Sequence, residues 1–316
     1  MRIGCVGLGH IGYHFAANLL AAGHEVVVHD VRREVAEPLL EAGAVWASTP
    51  AETAAASDSV ITCLPSIQVS GEVVAGPDGL IHGFAPGGTW IEMSTNSPQE
   101  LERLAALLAE RGVHTLEAPV TGGVHNASSG TITVLVGGEE DVFKRHEQLF
   151  RVIGGKVFYV GSLGKASKIK VITNMLAFIH IAASAEAFML AKRSDIDLRT
   201  AWEIIRASSG NSFILETEST TILGGSYDVG FTFDLCLKDM RLATAIGKEK
   251  DVPLDIASTV EQLFVRGRAQ YGGQAEYAMV AKLLEDACHT DLRAPGFPTT
   301  LEEYLETMPR ASRDAD

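Results

Sequence analysis

MRIGCVGLGHIGYHFAANLLAAGHEVVVHD, residues 1–30, decides the fold. Arg2–Leu8 is short and apolar and reads as a strand, Ile11–Ala22 has helical spacing, and Glu25–His29 reads as a second strand. Gly23 closes the helix as the glycine just past its end. Between strand and helix stands Gly7-Leu8-Gly9-His10-Ile11-Gly12, a GxGxxG turn. Such a motif is weak alone and becomes specific in a strand–turn–helix context. Gly7 allows the tight turn, Gly9 lets the backbone approach a pyrophosphate, and Gly12 lets helix and strand pack closely. The helix N-terminus then meets the phosphates with N–H groups and its positive dipole end. Leu8, His10 and Ile11 complete the loop, with His10 at its solvent edge. Asp30, eighteen positions after Gly12, can accept hydrogen bonds from a ribose and repel a 2′-phosphate. NAD is therefore favoured, and Arg32 and Arg33 keep NADP possible.

Outward from this unit the alternation continues. Ser59–Leu64, Trp90–Met93, Thr115–Glu117, Thr131–Val136 and Val157–Val160 read as strands, and Val35–Glu41, Pro98–Arg111 and Glu139–Arg151 as helices. Ser97 is placed to cap the helix that Pro98 opens. Strand–helix alternation predicts a doubly wound parallel sheet of the Rossmann type, covered on both faces. Beyond Lys165 only helical periodicity is left, in Lys168–Lys192, Leu198–Ala207, Leu235–Lys250, Ile256–Ala269 and Glu276–Ala287. The expected division is an α/β dinucleotide-binding domain over 1–163 and an all-α domain over 164–316, joined by a long helix. Arg293–Asp316, with three prolines and many charges, is expected to be a loosely packed tail or to dock on a neighbouring subunit.

The chain has 316 residues and a formal net charge of −14, which argues against a nucleic-acid partner and leaves room for a small acidic substrate in a locally positive pocket. Cys5, Cys63, Cys236 and Cys288 form no CxxC pair, and so few thiols suggest a reducing, cytoplasmic compartment. The ten histidines show no metal-ligand spacing, and neither a GxSxG nor a P-loop ending is present. The nearest approach to a membrane span is Val171–Leu190, interrupted by Thr173, Asn174, His180, Ser184 and Glu186, and it reads as a buried helix with no membrane partner. Its apolarity predicts burial of one face in a homodimer or homotetramer.

Seven segments carry a resemblance. They are GLGHIG…NLLAAGHEVVVHD, CLP at Cys63–Pro65, MSTNSP at Met93–Pro98, EAPVTGG at Glu117–Gly123, GTITVLVGG at Gly130–Gly138, GSLGKASKIKVITN at Gly161–Asn174, and Lys238-Asp239. In this order and spacing the chain resembles the β-hydroxyacid dehydrogenase family, of the 3-hydroxyisobutyrate dehydrogenase and tartronate semialdehyde reductase type. The resemblance implies an NAD(P)-dependent oxidoreductase that interconverts a small carboxylate-bearing β-hydroxy acid and its semialdehyde or keto acid.

The family's catalytic lysine falls on Lys170 in the pattern GxxGxGxxxKxxxN, here Gly161, Gly164, Ala166, Lys170 and Asn174, with Ala166 replacing a glycine. Lys170 and Asn174 are four apart and share a helix face. An ammonium there can give a proton to a carbonyl oxygen or recover it from a hydroxyl, and Asn174 can hold the same oxygen or the lysine. Thr121, Gly122 and Gly123 fall on the family's substrate-carboxylate clamp, with threonine where serine is usual. His125 and Asn126 replace a usual proline and glycine, which leaves specificity open. Leu64, Pro65, Ser94 and Thr95 fall on positions against the cofactor, Lys238 and Phe231 on positions at its nicotinamide end, and Asn211 on a polar loop lining the pocket. Two alternatives stand beside this one. Imine reductases resemble the family and usually lack a lysine at position 170, so Lys170 with Asn174 argues against them. A non-catalytic dinucleotide-binding protein would need the glycine turn alone.

Overall fold

Strand β1 (Arg2–Val6) pairs in parallel with both β2 (Glu25–His29) and β4 (Ser59–Thr62), so the strand order reverses on either side of it. With β3 (Val45–Trp46), β5 (Thr89–Glu92), β6 (His114–Glu117), β7 (Val120–Thr121), β8 (Ile132–Gly138) and β9 (Gly154–Gly161) they form a nine-stranded sheet. Its order is β3-β2-β1-β4-β5-β6-β8-β7, with β9 on β8. The computed structural model describes residues 1–301, 303 and 304. The chain divides into two compact units, the first being Met1–Lys170 and the second starting at Val171.

The strands that form the centre of the sheet, β4 and β5, are buried along their whole length. That is the pattern of a sheet covered on both faces. One cover is the helix Gly12–Ala21 with Phe15, Ala16 and Leu19, joined by the helix Glu140–Ile153 with Leu149, Phe150 and Ile153. The other is the helix Pro98–Ala109 with Leu101, Leu104 and Leu108, packed with Val74, Leu80 and Trp90. Ser97 caps it as expected, accepting the Glu100 N–H at 3.2 Å.

Two features depart from the expected sheet. β8 runs antiparallel to β6 and β7, while β9 returns parallel to β8. Periodicity marks a strand without giving its direction. The helices Pro50–Ala55 and Ile67–Ala75 were not foreseen. The first carries a legible signal, Thr49-Pro50-Ala51-Glu52: the Thr49 hydroxyl accepts the Glu52 N–H at 3.1 Å, and Glu52 accepts the Ser48 N–H at 2.7 Å.

Below the sheet's first cover, Ser59 and His146 are buried together. His146 Nδ1 donates to the Val142 carbonyl at 2.8 Å, so Nε2 accepts the Ser59 hydroxyl, also at 2.8 Å. Burial holds the His146 imidazole below its ordinary titration range. The folded state therefore resists protonation that the unfolded chain accepts near pH 6.5. The stability this contributes is present above that pH and is lost as pH falls through the lowered value. Melts at pH 7.5 and 5.5 should show a wild-type slope exceeding that of His146→Gln, by at most about one proton's worth (~1.4 kcal/mol per pH unit). Equal slopes would refute it.

In the second unit the helices are Leu198–Arg206, Phe213–Glu216, Ser219–Gly224, Phe233–Glu249, Asp255–Tyr271 and Lys282–Cys288, together with the long helix Lys165–Arg193 that begins in the first unit. By length and composition that long helix could cross a membrane. Phe178, Ile181, Ala185 and Phe188 on it are buried in a core with Phe233, Phe264 and Tyr277, as the sequence led us to expect.

The segment from Arg293 is not loosely packed where it is described. The Ala294 N–H donates to the Leu223 carbonyl at 2.9 Å, and the Arg199 guanidinium donates to the Pro295 carbonyl while lying 4.7 Å from the Phe297 ring centroid. Trp202 meets Phe297 edge-on at 5.5 Å and Tyr304 at 6.4 Å. Two aromatic anchors outweigh a polar, proline-rich composition. Residue 302 and residues 305–316 of that stretch lie outside the described residues.

Candidate active site

The three glycines of the turn have three different physical reasons. Gly7 sits at φ +89°, and a Cβ there would lie 2.4 Å from the Cys63 carbonyl oxygen. A Cβ on Gly12 would lie 2.0 Å from the Gly7 carbonyl oxygen. A Cβ on Gly9 would meet nothing within 4 Å. Gly9 thus guards space outside the protein, whereas Gly7 and Gly12 guard space inside it. The helix that follows has no side-chain cap at Ile11; its Tyr13 and His14 N–H groups donate to the Gly9 and Ile11 carbonyls at 3.1 and 3.0 Å. Gly9 and His10 are exposed, while the Leu8 side chain belongs to the core and only its backbone serves the loop. Beneath the loop, burial pushes the Cys63 thiol up to about 12, so it is an inert packing group.

Asp30 has a second task that the sequence did not disclose. Its carboxylate accepts the Leu8 N–H at 2.8 Å and the Arg32 N–H at 2.9 Å, tying the glycine turn to the end of β2. Its carboxylate oxygens retain acceptor capacity for ribose hydroxyls. Arg33 lies over the Trp46 ring at 5.4 Å.

The loops after β4 and β5 are joined by a buried carboxylate. The Leu64 N–H donates to Ser94 Oγ at 2.7 Å, and the Ser94 N–H donates to Glu92 Oε1 at 2.8 Å. Glu92 also accepts Thr62 Oγ1, Ser70 Oγ and Asn96 Nδ2. Burial raises its carboxyl above the ordinary range, against the pull of these donors. Leu64-Pro65 and Ser94-Thr95 are thereby fixed to each other at the edge where open α/β sheets bind ligands.

After β7, Gly122 at φ +123° and Gly123 at φ +79° turn the chain into the short helix Gly123–Ser128. Thr121 is half-buried, and Asn126 Nδ2 donates back to the Gly122 carbonyl at 2.9 Å. Lys170 is only 8% exposed, between exposed Ile169 and buried Val171, so it is no snorkelling surface lysine. Further along the same helix, Asn174 Nδ2 donates to Asp239 Oδ2 at 2.7 Å. The other Asp239 oxygen is 2.9 Å from Lys238 Nζ. Asp239 is buried and joins Asn174 to Lys238. The sequence marks Asp239 only as the neighbour of Lys238 and gives it no task of its own; its signal was a carboxylate among Cys236, Met240 and Ala243 on an apolar helix stripe.

Phe231 packs on Phe178 at 6.0 Å, and its N–H donates to Glu276. Asn211 is exposed and donates to the Glu216 carboxylate. Among the described residues no three His, Cys, Asp or Glu side chains gather as a metal site.

Known proteins match this geometry along nearly the whole chain. The family described as the NAD binding domain of 6-phosphogluconate dehydrogenase matches residues 2–161. The family described as NAD-binding of NADP-dependent 3-hydroxyisobutyrate dehydrogenase matches residues 164–284. The chain is 34% identical over 286 residues to 2-(hydroxymethyl)glutarate dehydrogenase of Eubacterium barkeri, covering 90% of this chain and 95% of that protein. It is 32% identical over 285 residues to 2-hydroxy-3-oxopropionate reductase of Escherichia coli, covering 90% and 97%. The solved structure of Mycobacterium tuberculosis 3-hydroxyisobutyrate dehydrogenase with L-serine superposes with a TM-score of 0.81 at 26% identity, covering 90% of this chain and 98% of that one.

Proposed function

The chain belongs to the β-hydroxyacid dehydrogenase family, and on that premise we propose how its residues divide the work. It is an NAD(P)-dependent oxidoreductase acting on the CH–OH group of a small hydroxy acid. The observation that carries the residue assignment is Lys170, a buried lysine on the helix that also bears Asn174.

The glycine turn fits a dinucleotide, because the open space beside Gly9, ahead of the positive end of the helix dipole, suits a pyrophosphate. Gly7, Leu8, Gly9, His10, Ile11 and Gly12 would hold the phosphates, Asp30 the ribose, and Leu64, Pro65 and Thr95 the adjoining part of the cofactor. Phe231 and Lys238 are assigned to the cofactor from the helical domain, taken as 164–316 against 1–163. When bound, the nicotinamide supplies or accepts the hydride. In the reductive direction the Lys170 ammonium donates a proton to the substrate oxygen, and in the oxidative direction its amine takes the proton from the hydroxyl. An acceptor-only carboxylate at Asp239 sets which way the Asn174 amide points, and so aims its carbonyl oxygen. Thr121 with the backbone of Gly122 and Gly123 would hold the substrate carboxylate, the Thr121 methyl narrowing the space. Asn211 would contribute to substrate selection.

The test is absorbance of the reduced nicotinamide with 3-hydroxyisobutyrate and 2-(hydroxymethyl)glutarate in oxidation and 2-hydroxy-3-oxopropionate in reduction. At least one should be turned over, and silence with all three would overturn the assignment to this substrate class. NAD should bind at least about tenfold more tightly than NADP. Asp30→Ala should narrow that ratio and weaken both, since the Leu8 N–H loses its acceptor. A ratio near one in the wild type would refute the NAD preference.

We also place the enzyme in the cytoplasm, where its four free cysteines stay reduced, as a homodimer or homotetramer. Ile169, Ile172, Leu176 and Leu190 expose an apolar stripe along the long helix that suits such an interface. Light scattering giving a monomer would refute it.

A further inference from the structure

Glu117 ends β6, one residue before Ala118-Pro119, which lead into Thr121, Gly122 and Gly123. Its side chain is fully buried. Its partners are the start of the long helix: Oε1 accepts the Ala166 N–H at 2.9 Å, and Oε2 accepts the Ser167 N–H at 2.9 Å and the Ser167 hydroxyl. First-turn N–H groups have no acceptor within their own helix. Here a carboxylate from the sheet supplies one, 49 and 50 residues away in sequence, with the charge that the helix start favours. Space has been cleared for it, since a Cβ on Gly137 of the adjoining β8 would lie 2.4 Å from Glu117 Oε1.

An ordinary cap from Ser or Asp next to the helix would satisfy the same N–H groups and tie the helix to nothing else. Glu117 instead tethers it to the strand that delivers the Thr121–Gly123 segment. Lys170 stands three residues after Ser167, about 4.5 Å along the axis, so a fixed first turn fixes the height and direction of the lysine.

We propose that Glu117 is a positioning residue for the reaction, locking the start of the long helix to the end of β6 so that Lys170 and the Thr121–Gly123 segment keep one separation. The proposal rests on the roles given above to Lys170 and to that segment. It adds a residue that touches neither substrate nor cofactor and acts through the lysine.

Glu117→Gln keeps the shape and turns one acceptor into a donor facing an N–H. It should lower kcat about tenfold to a hundredfold, with the Kd for NAD within about twofold of wild type, since the glycine turn is untouched. Glu117→Asp, which keeps both acceptor oxygens, should recover most of that loss, and Ser167→Ala, which removes one donor, should show a smaller loss. Peptide-resolved cyanate labelling needs no substrate. Lys170 labelling should change several-fold in Glu117→Gln while exposed Lys144 and Lys250 stay constant.

Unchanged kcat and unchanged Lys170 labelling would overturn the proposal, as would equal loss of NAD binding and turnover in both Gln and Asp variants. Should Glu117→Gln fail to fold, the Ser167→Ala and Glu117→Asp results decide alone. Turnover surviving in Lys170→Ala would instead overturn the lysine's role in proton transfer, and the labelling would still show whether Glu117 positions it.

Discussion

Lys170→Ala should lower kcat about a thousandfold, within the range that a positioned proton donor contributes, and leave NAD binding within about twofold of wild type. The alanine removes the ammonium that meets the substrate oxygen, and nothing in the glycine turn changes. Lys170→Arg should be nearly as inactive, because a guanidinium keeps its proton at any pH the fold survives. Small amines added to the alanine variant should restore part of the rate, since the truncated side chain leaves room for them. Stopped-flow absorbance of the reduced nicotinamide, with NAD affinity from calorimetry, separates chemistry from binding. More than about a tenth of the wild-type rate in the alanine variant would remove Lys170 from the mechanism.

Gly9→Ala should weaken NAD binding at least about a hundredfold and leave the melting temperature within about 2 °C. The added methyl meets no protein atom within 4 Å, so the apo fold does not register it. It occupies the approach that a pyrophosphate needs. Gly12→Ala should behave otherwise, losing both binding and several degrees of stability, because its Cβ would lie 2.0 Å from the Gly7 carbonyl oxygen. Gly7→Ala adds backbone strain at φ +89° to a 2.4 Å clash with Cys63. Thermal melts beside calorimetric titration distinguish the three. A Gly9→Ala protein that binds NAD like the wild type would take the loop out of the cofactor site.

The contrast among these glycines shows where sequence is legible. The turn, its strand and its helix are local, within thirty residues, and the pattern discloses them because φ, periodicity and capping are local properties. The buried runs of β4 and β5 are legible for the same reason. Glu92, Glu117 and Asp239 are a different matter. Each is a buried carboxylate with donors from other segments: Thr62 and Ser70 for Glu92, Ala166 and Ser167 for Glu117, Asn174 for Asp239. Composition marks such residues as surface charge until the chain is folded. The antiparallel entry of β8 was hidden for a related reason, since strand direction is decided by the connection and not by the strand's own residues. Asp30 was half legible: its place at the end of β2 was evident, and its bond to Leu8 was not.

The docked segment around Phe297 and Tyr304 has an optical consequence. Of the three tryptophans, Trp46 and Trp90 lie in the first unit, and Trp202 is alone in the second, flanked by Phe297, Tyr304 and the Arg206 guanidinium at 5.1 Å. Indole emission reports the polarity of its surroundings, so a Trp46→Phe/Trp90→Phe protein becomes a dye-free sensor of the helical unit. Its emission should redden when the C-terminal segment lifts away. A denaturant titration of that protein, set beside one monitored at Trp90 alone, would show whether the two halves of the chain melt in one step or two.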